Sequence, residues 1–252
     1  MGWLRNWRRR RLLAHHSVDD ALWRSVARSL PFLRSLSRDE AQRLRSLALL
    51  LLVEKEFTGA QGLELDEAMR LSIAVQAALP VLNLGLDRYD AWSEIVVHPG
   101  DFRVKVTETD DAGVVHEFDD ERAGESWRGG PVVLSWEAAK NAPDMNVVIH
   151  EFAHKLDMAN GEADGLPPLH SGMDRRVWTD AFRAAYEGFC DAVDRSKDTW
   201  LDPYAAESPG EFFAVVSERF FTDPAETRRR YPDVYEQLRR FYRQDPAARA
   251  GT

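Results

Sequence analysis

The sequence predicts an α+β fold, because helical patterns at both ends of the chain enclose a group of short β-branched runs. In chain order we expect a helical N-terminal part, a small mixed sheet, a buried helix carrying two histidines, and a helical C-terminal part. A chain of 252 residues with 44% hydrophobic content can bury a full core, and its single cysteine excludes an internal disulfide framework.

The N-terminal segment is basic. Residues 1–50 contain eleven arginines and four acidic residues, whereas the whole chain has a formal net charge of −9. Such a segment can contact an anionic partner, but basic runs are more often solvated helix ends, and nucleic acid is not a predicted ligand. No apolar stretch follows Arg8 to Arg11, and the longest apolar run, residues 47–53, is too short to cross about 30 Å of hydrocarbon. We therefore expect a soluble, cytoplasmic protein without membrane contact.

The first ninety residues have helical patterns. Ser37 and Glu40 have the spacing of a capping box before a leucine-rich segment, which predicts a helix start. A second helix is predicted from Asp66 to near Pro80, where the missing amide and the proline ring break the hydrogen-bond ladder.

Short strands are predicted in the middle of the chain. Pro-Gly, Gly-Gly-Pro and Asp/Gly-rich turns separate runs rich in β-branched and aromatic residues. The predicted strands are residues 95–97, 102–106, 114–118 and 132–134. These runs predict a small sheet that is at least partly antiparallel.

The chain becomes helical again after the sheet. The pattern predicts a helix over residues 143–159, which Gly161 ends, and three more over residues 177–193, 209–221 and 232–242.

The first of these helices contains an H-E-x-x-H motif, formed by His150, Glu151 and His154. Residues four apart lie on one helix face, so the two imidazoles can bind one zinc ion at about 2.0 to 2.1 Å. A glutamate beside that face can take a proton from an attacking water and return it to a leaving amine. The alternative is two buried histidines whose nitrogens bond to carbonyls or carboxylates.

A catalytic zinc site needs a third protein ligand. Asp157 and Asn160 occupy the positions that glycine and the third histidine take in the longer H-E-x-x-H-x-x-G-x-x-H motif, so that motif is excluded. Glu211, at the start of an apolar helix, is the candidate from the pattern, with Glu207 and Glu218 as rivals. Its alternative role is structural, because Ser208 and Glu211 also have capping-box spacing.

Three further residues or segments have two interpretations each. Tyr204 can donate its phenol to an oxyanion or can simply pack before the helix. Asp157 can orient a ligand imidazole or can be a solvated helix residue. Residues 132–136 can be an edge strand that pairs with substrate backbone or an ordinary core strand, and the core strand is favoured. The remaining histidines have no paired spacing and receive no role: His15, His16, His98, His116 and His170.

The sequence resembles the Mlc titration factor A family, bacterial gluzincin-like zinc peptidases related to the lethal-factor type of toxin metalloprotease. The similarity covers nearly the whole chain. It runs from the N-terminal helical part through residues 78–86, Gly-Glu-Ser-Trp at 124–127, residues 130–136 and His-Glu-Phe-Ala-His-Lys-Leu-Asp at 150–157 to Tyr204 and Glu211.

The resemblance implies that His150, His154 and Glu211 hold one zinc ion per chain, that Glu151 is the general base and that Tyr204 stabilises the oxyanion. It also implies aminopeptidase activity and, in some members, binding to the glucose-responsive repressor Mlc. We therefore expect a helical N-terminal subdomain in residues 1–90 and a zincin-like catalytic subdomain in residues 91–252, together forming one compact unit.

The predicted function is that of a zinc-dependent aminopeptidase acting on peptide substrates. A rival from another class is a regulatory protein that binds and titrates a transcriptional repressor, with a structural or secondary zinc site. A third alternative is a zinc endopeptidase.

Overall fold

A computed structural model describes residues 2–109, 115–141 and 145–249. Its helices confirm the predicted order of a helical part, a sheet and a second helical part. Their bounds are α1 Gly2–His15, α2 Asp20–Ser29, α3 Arg38–Glu54, α4 Glu67–Ala78, α5 Trp136–Asn141, α6 Val147–Asp157, α7 Arg175–Asp194, α8 Pro209–Thr222, α9 Pro224–Arg230, α10 Pro232–Tyr242 and α11 Pro246–Arg249.

Six strands lie between the two helical parts. Their bounds are β1 Glu56–Gly59, β2 Glu94–His98, β3 Phe102–Thr109, β4 Val115–Arg122, β5 Gly124–Ser126 and β6 Val132–Ser135. Four of them form a mixed sheet with strand order β1-β2-β6-β5. Strands β1, β2 and β6 are parallel, and β5 runs antiparallel to β6. Strands β3 and β4 form a separate antiparallel pair.

The sheet confirms the predicted mixed architecture and the favoured interpretation of residues 132–135 as a core strand. The edge-strand interpretation of residues 132–136 is wrong, because β6 lies between β2 and β5 and because Trp136 begins helix α5. All four residues of β6 are buried, as a core strand requires. Val114 and the predicted turn at residues 110–113 lie outside the described residues.

The predicted helix starts in the N-terminal part are confirmed. Ser37 and Glu40 form the capping box of α3, and the Asp66 side chain accepts the Met69 amide at the start of α4. Strand β1 interrupts the helical pattern and pairs with β2. The sheet therefore contains a strand from each side of the predicted boundary at residue 90, and the division into two subdomains stays a prediction.

The basic N-terminal helix is held to the rest of the protein by ion pairs. Arg9 lies between Glu54, Asp87 and Asp90, with a guanidinium nitrogen 2.9 Å from Glu54 Oε2. Part of the positive charge of residues 1–50 is thus neutralised internally. Among the described residues, the longest apolar helical segments fall short of what a bilayer crossing requires.

Helix α6 lies at the centre of the molecule, and all eleven of its residues are buried. It packs against α8, α4 and the β5–β6 edge of the sheet. The side chain of Asn146 begins the helix by accepting the Ile149 amide at 2.9 Å. The start is therefore later than the predicted Pro143, which lies outside the described residues, and the end at Asp157 is two residues earlier than predicted.

Candidate metal centre

Helix α6 brings two imidazoles together. The Nε2 atoms of His150 and His154 are 3.2 Å apart, and the ring planes cross at 78°. Both side chains are buried, and neither Nδ1 atom has a hydrogen-bond partner in the described structure. The spacing of four residues thus places both Nε2 atoms at one point on the helix face, as the sequence predicts.

Glu211, in the first turn of α8, supplies a carboxylate to the same point. Its Oε2 atom lies 3.1 Å from His150 Nε2 and 3.2 Å from His154 Nε2. The Ser208 hydroxyl accepts the Glu211 amide at 3.1 Å, so Ser208 caps the helix. The Glu211 carboxylate does not complete a capping box by bonding back to the amide of the capping residue, because its Oε2 atom faces the two histidines.

The three atoms fit the donor set and the size of a divalent metal site. They lie within 4.8 Å of one another, and no other such group of histidine, cysteine or carboxylate side chains occurs among the described residues. Tetrahedral bonds of about 2.0 to 2.1 Å place neighbouring ligand atoms about 3.3 Å apart, close to the separations seen. Two imidazoles and a glutamate are also the donors of a known class of catalytic zinc site.

The rival carboxylates lie elsewhere. Glu218 lies behind His150, with its Oε2 atom 4.0 Å from Nδ1, on the opposite side of the ring from Glu211. Glu207 is not part of the cluster. The geometry therefore favours Glu211 as the third member, whereas Glu218 is placed to influence the orientation of the His150 ring.

Burial and the charges within the cluster shift the pKa values of its residues in opposite directions. Burial alone would lower the pKa of His150, but the Glu211 hydrogen bond and the charges of Glu151 and Glu211 raise that pKa to about 9. Burial would raise the pKa of Glu211, yet its contacts with His150 and His154 hold that pKa well below its usual range. The metal-free cluster thus favours a carboxylate beside a protonated imidazole.

This electrostatic balance predicts that binding of a divalent metal depends on pH, with zinc as the ion to be tested. Zinc binds neutral imidazole, so a proton must leave His150 at any pH below its raised pKa. We expect zinc affinity to increase by about tenfold per pH unit from neutral pH up to about 9, and to level off above it. Competition with a chelator of known proton affinity measures this slope, and an affinity that is constant between pH 7 and about 9 would contradict the assignment.

Glu151 lies on α6 between the two histidines in sequence and is only 4% exposed. Burial raises its pKa, against the lowering effect of the His150 and His154 charges. A raised carboxyl pKa brings a side chain closer to the neutral range in which it can accept and return a proton.

Strand β5 approaches Glu151 closely through a glycine. A Cβ atom on Gly124 would lie 2.4 Å from Glu151 Oε1 and 2.7 Å from a methyl group of Val147. No real Cβ atom is tolerated at such distances, so the absence of a side chain at position 124 is what lets the Glu151 carboxylate occupy its place.

Tyr204 lies near His150 and is partly exposed to solvent. It belongs to a short 3-10 turn, Pro203–Ala206, which the Asp202 side chain begins by accepting the Tyr204 amide at 2.9 Å. The Tyr204 ring centroid is 6.3 Å from that of His150, and the side chain is 37% exposed. All five residues predicted for the site are therefore in one region.

Two glycines allow the start of α8 to pack closely against the loop that follows α6. A Cβ on Gly165 would lie 2.7 Å from Pro209 O, and one on Gly210 would lie 2.4 Å from Ala163 O. Asp157 Oδ2 accepts the Gly165 amide at 2.7 Å, and burial raises the pKa of Asp157 to about 7. Asp157 thus holds this loop. Neither interpretation from the sequence is seen, because Asp157 is fully buried rather than solvated and makes no hydrogen bond with a ligand imidazole in the described structure.

Lys155, next to His154, anchors the loop after β5. Its Nζ donates to the carbonyl oxygens of Trp127 at 2.5 Å and Gly130 at 2.8 Å, and burial lowers its pKa to about 8. No pattern in the sequence predicts these roles for Lys155 or for the three closely packed glycines. The sequence shows a lysine in the motif helix and loops that contain glycine. It does not show what they contact, because their contact partners are distant in sequence.

The remaining described histidine side chains lie away from the cluster. His98 stacks on Phe102, and His170 lies with Nε2 2.8 Å from Phe241 O. His15 and His16 are exposed near the end of α1. The structure does not describe the side chain of His116.

Comparison with known proteins gives consistent results. A family model described as glucose-regulated metallo-peptidase M90 matches residues 4–243. Proteins named Mlc titration factor A from Yersinia pestis (strain Pestoides F) and from Yersinia pseudotuberculosis serotype O:1b (strain IP 31758) are each 41% identical to this chain over 229 residues. The alignments cover 88% of this chain and 84% of each relative.

Proposed function

Because the chain belongs to the M90 family of glucose-regulated metallo-peptidases, we propose that it is a zinc-dependent aminopeptidase. The observation that supports this most is the triangle of His150 Nε2, His154 Nε2 and Glu211 Oε2, whose sides of 3.1 to 3.2 Å suit one tetrahedral ion. Membership of the family and the α+β fold agree with a zincin-like enzyme. The specificity for N-terminal residues follows from the resemblance described above.

In this proposal His150, His154 and Glu211 hold one zinc ion. Zinc supplies Lewis acidity, which activates water at neutral pH and polarises the scissile carbonyl. Glu151 accepts the proton of the attacking water on its carboxylate and then delivers it to the leaving amine. Tyr204 donates its phenolic O–H to the oxyanion as negative charge develops there.

The proposal is tested with purified protein and amino-acid anilides. We expect about one zinc per chain, release of the chromogenic amine, loss of activity with a chelator, and recovery when zinc is added back. Peptides with free N-termini should lose single N-terminal residues, and acetylation of the N-terminus should stop cleavage. Products that begin inside acetylated peptides would instead identify an endopeptidase.

Replacement of Tyr204 by phenylalanine should reduce kcat by about a hundredfold to a thousandfold, because it removes one donor to the oxyanion. The ring that packs beside His150 is kept, so zinc content and KM should change little. Steady-state kinetics measures kcat and KM separately, and zinc analysis of the same samples measures the zinc content. A variant with unchanged kcat would remove Tyr204 from the mechanism.

Substitution of Gly124 by alanine should displace Glu151, because the new Cβ would overlap its carboxylate. A displacement of about 1 Å can cost a hundredfold in rate, so we expect kcat to fall by up to about that factor while zinc stays bound. Gly161→Ala is a matched control, since a Cβ there would meet no atom within 4 Å. Equal activity of the two variants would contradict this role for Gly124.

The name of the relatives supports a second candidate function. They are called Mlc titration factor A, so a related role for this chain would be binding of an Mlc-like transcriptional repressor. A pull-down of purified repressor by wild type and Glu151→Gln alike, without turnover of any peptide in a library, would favour this regulatory function over the enzymatic one.

A further inference from the structure

Three large apolar side chains of α1 are exposed to solvent. Trp3, Leu4 and Trp7 are 76%, 63% and 50% exposed, and no other large hydrophobic side chain among the described residues is more than 48% exposed. Trp3 and Trp7 are one helical turn apart, with Leu4 beside them, so the three form one patch. Single exposed apolar residues are ordinary, but a contiguous patch marks a surface that binds a protein or a membrane.

Exposed arginines continue the same face of α1. Arg11 lies one turn after Trp7, with its guanidinium 4.9 Å from the Trp7 ring centroid, and Arg10 is exposed beside it. The helix contains no acidic residue, and its ion pairs within the described structure are formed by other arginines. The outward face of α1 therefore combines an apolar patch with uncompensated positive charge, in a chain whose formal net charge is −9.

The opposite face of α1 fixes this orientation. Arg9 is only 9% exposed, and its guanidinium lies 2.9 Å from Glu54 Oε2. Leu12 and Leu13, on the same side of the helix, pack against the hydrophobic core. The helix is thus attached to the rest of the protein through one side, and the two indoles are directed outward.

The residue types of this face favour an anionic bilayer over other partners. Tryptophan is enriched at membrane–water interfaces, because its ring is largely apolar while its N–H can meet the polar headgroups. Neighbouring arginines can place their stems along the apolar boundary and their guanidinium groups among the phosphates. The patch is the convex side of a single helix, so a fluid bilayer can cover it without a complementary groove.

We propose that α1 binds this protein to the surface of an anionic phospholipid bilayer. The helix lies in the plane of the interface, with Trp3, Leu4 and Trp7 at the boundary between headgroups and acyl chains. Arg10 and Arg11 lie against the lipid phosphates. A helix that lies on a bilayer does not need the length of a spanning segment, so this proposal replaces the expectation of no membrane contact.

Sedimentation of the full chain with lipid vesicles tests the proposal. We expect binding to phosphatidylcholine vesicles that contain about 30% phosphatidylglycerol, and much weaker binding to phosphatidylcholine alone, because the arginines need an anionic surface. At about 1 M salt, where the Debye length is about 3 Å, binding to the anionic vesicles should fall by at least about tenfold.

Two double variants separate the apolar and the basic contributions. Trp3→Ala/Trp7→Ala and Arg10→Glu/Arg11→Glu should each weaken binding to the anionic vesicles by at least about tenfold, since buried apolar area and charge both contribute. All four side chains are exposed, so both variants should unfold at the same temperature as wild type.

Matched controls make the same kinds of change elsewhere. Trp127→Ala removes another tryptophan that is 45% exposed. Arg175→Glu/Arg176→Glu, at the exposed start of α7, changes the net charge by the same amount as the α1 arginine variant. Both controls should bind the anionic vesicles like wild type.

Fluorescence quenching by brominated lipid separates insertion from adsorption. Anionic vesicles with brominated acyl chains should quench part of the tryptophan fluorescence of the bound wild type, because two of its eight tryptophans reach the acyl boundary. Bound protein without quenching would contradict the placement of the indoles.

Other results would overturn the proposal as a whole. These are no binding of wild type to the anionic vesicles, equal binding to neutral ones, or wild-type binding by either α1 variant. Retention of wild type on immobilised polyglutamate without binding to vesicles would assign the face to an acidic protein partner instead. None of these results depends on peptidase activity, so the proposed function stands or falls separately.

Discussion

Replacement of Glu151 by glutamine is expected to lower kcat/KM by about a hundredfold to ten-thousandfold, the range in which a general acid–base group contributes. Glutamine has nearly the same shape, so it can occupy the space beside Gly124, but its amide cannot accept the proton of the attacking water. The effect should fall mainly on kcat, because the carboxylate acts during the chemical step.

Zinc content separates this effect from a loss of the metal. Glu151 is not a member of the His150, His154 and Glu211 cluster, so the variant should still bind about one zinc per chain. Glu187→Gln, an exposed substitution on α7, is the matched control and should behave like wild type. Wild-type turnover by Glu151→Gln would show that another group moves the proton.

Replacement of Glu211 by glutamine should remove most of the bound zinc and, with it, the activity. The change takes away the only carboxylate of the cluster, whose Oε2 lies within 3.2 Å of both imidazoles. Loss of an outer hydrogen-bond partner already costs tenfold to a hundredfold in metal affinity, and we expect removal of a ligand to cost more than about a hundredfold. Competition with a chelator measures the affinity directly.

The two rival glutamates provide the controls for Glu211. Glu207→Gln should keep wild-type zinc affinity, and Glu218→Gln should lower it far less than Glu211→Gln does, because Glu218 Oε2 lies 4.0 Å from His150 Nδ1 and makes no hydrogen bond with it. Full zinc content in Glu211→Gln together with loss in Glu207→Gln would assign the third ligand differently.

Local sequence signals predicted the parts of the fold that depend on near neighbours. The caps at Ser37, Asp66 and Ser208 each begin a helix, because a side-chain oxygen accepts the amide three residues later. The pairing of His150 with His154 follows in the same way from the pitch of one helix.

Features that depend on distant contacts could not be predicted in this way. Strands β1 and β5 are only four and three residues long, and their pairing partners decide their conformation. The sequence pattern is compatible with Glu211 either as part of a helix cap or as a metal ligand. Its orientation decides between the two roles, and that orientation depends on α8 packing against α6. The close approach of Gly124 to Glu151 is likewise a tertiary contact with no local signature.

The proposed chemistry depends on one metal ion bound by side chains from α6 and α8. A crystal structure of the zinc-loaded protein, with anomalous scattering measured at the zinc edge, tests it most directly. We predict one strong anomalous peak about 2.0 to 2.2 Å from His150 Nε2, His154 Nε2 and a Glu211 carboxylate oxygen. A peak bound by other side chains, or no peak between α6 and α8 in a zinc-saturated crystal, would contradict the account.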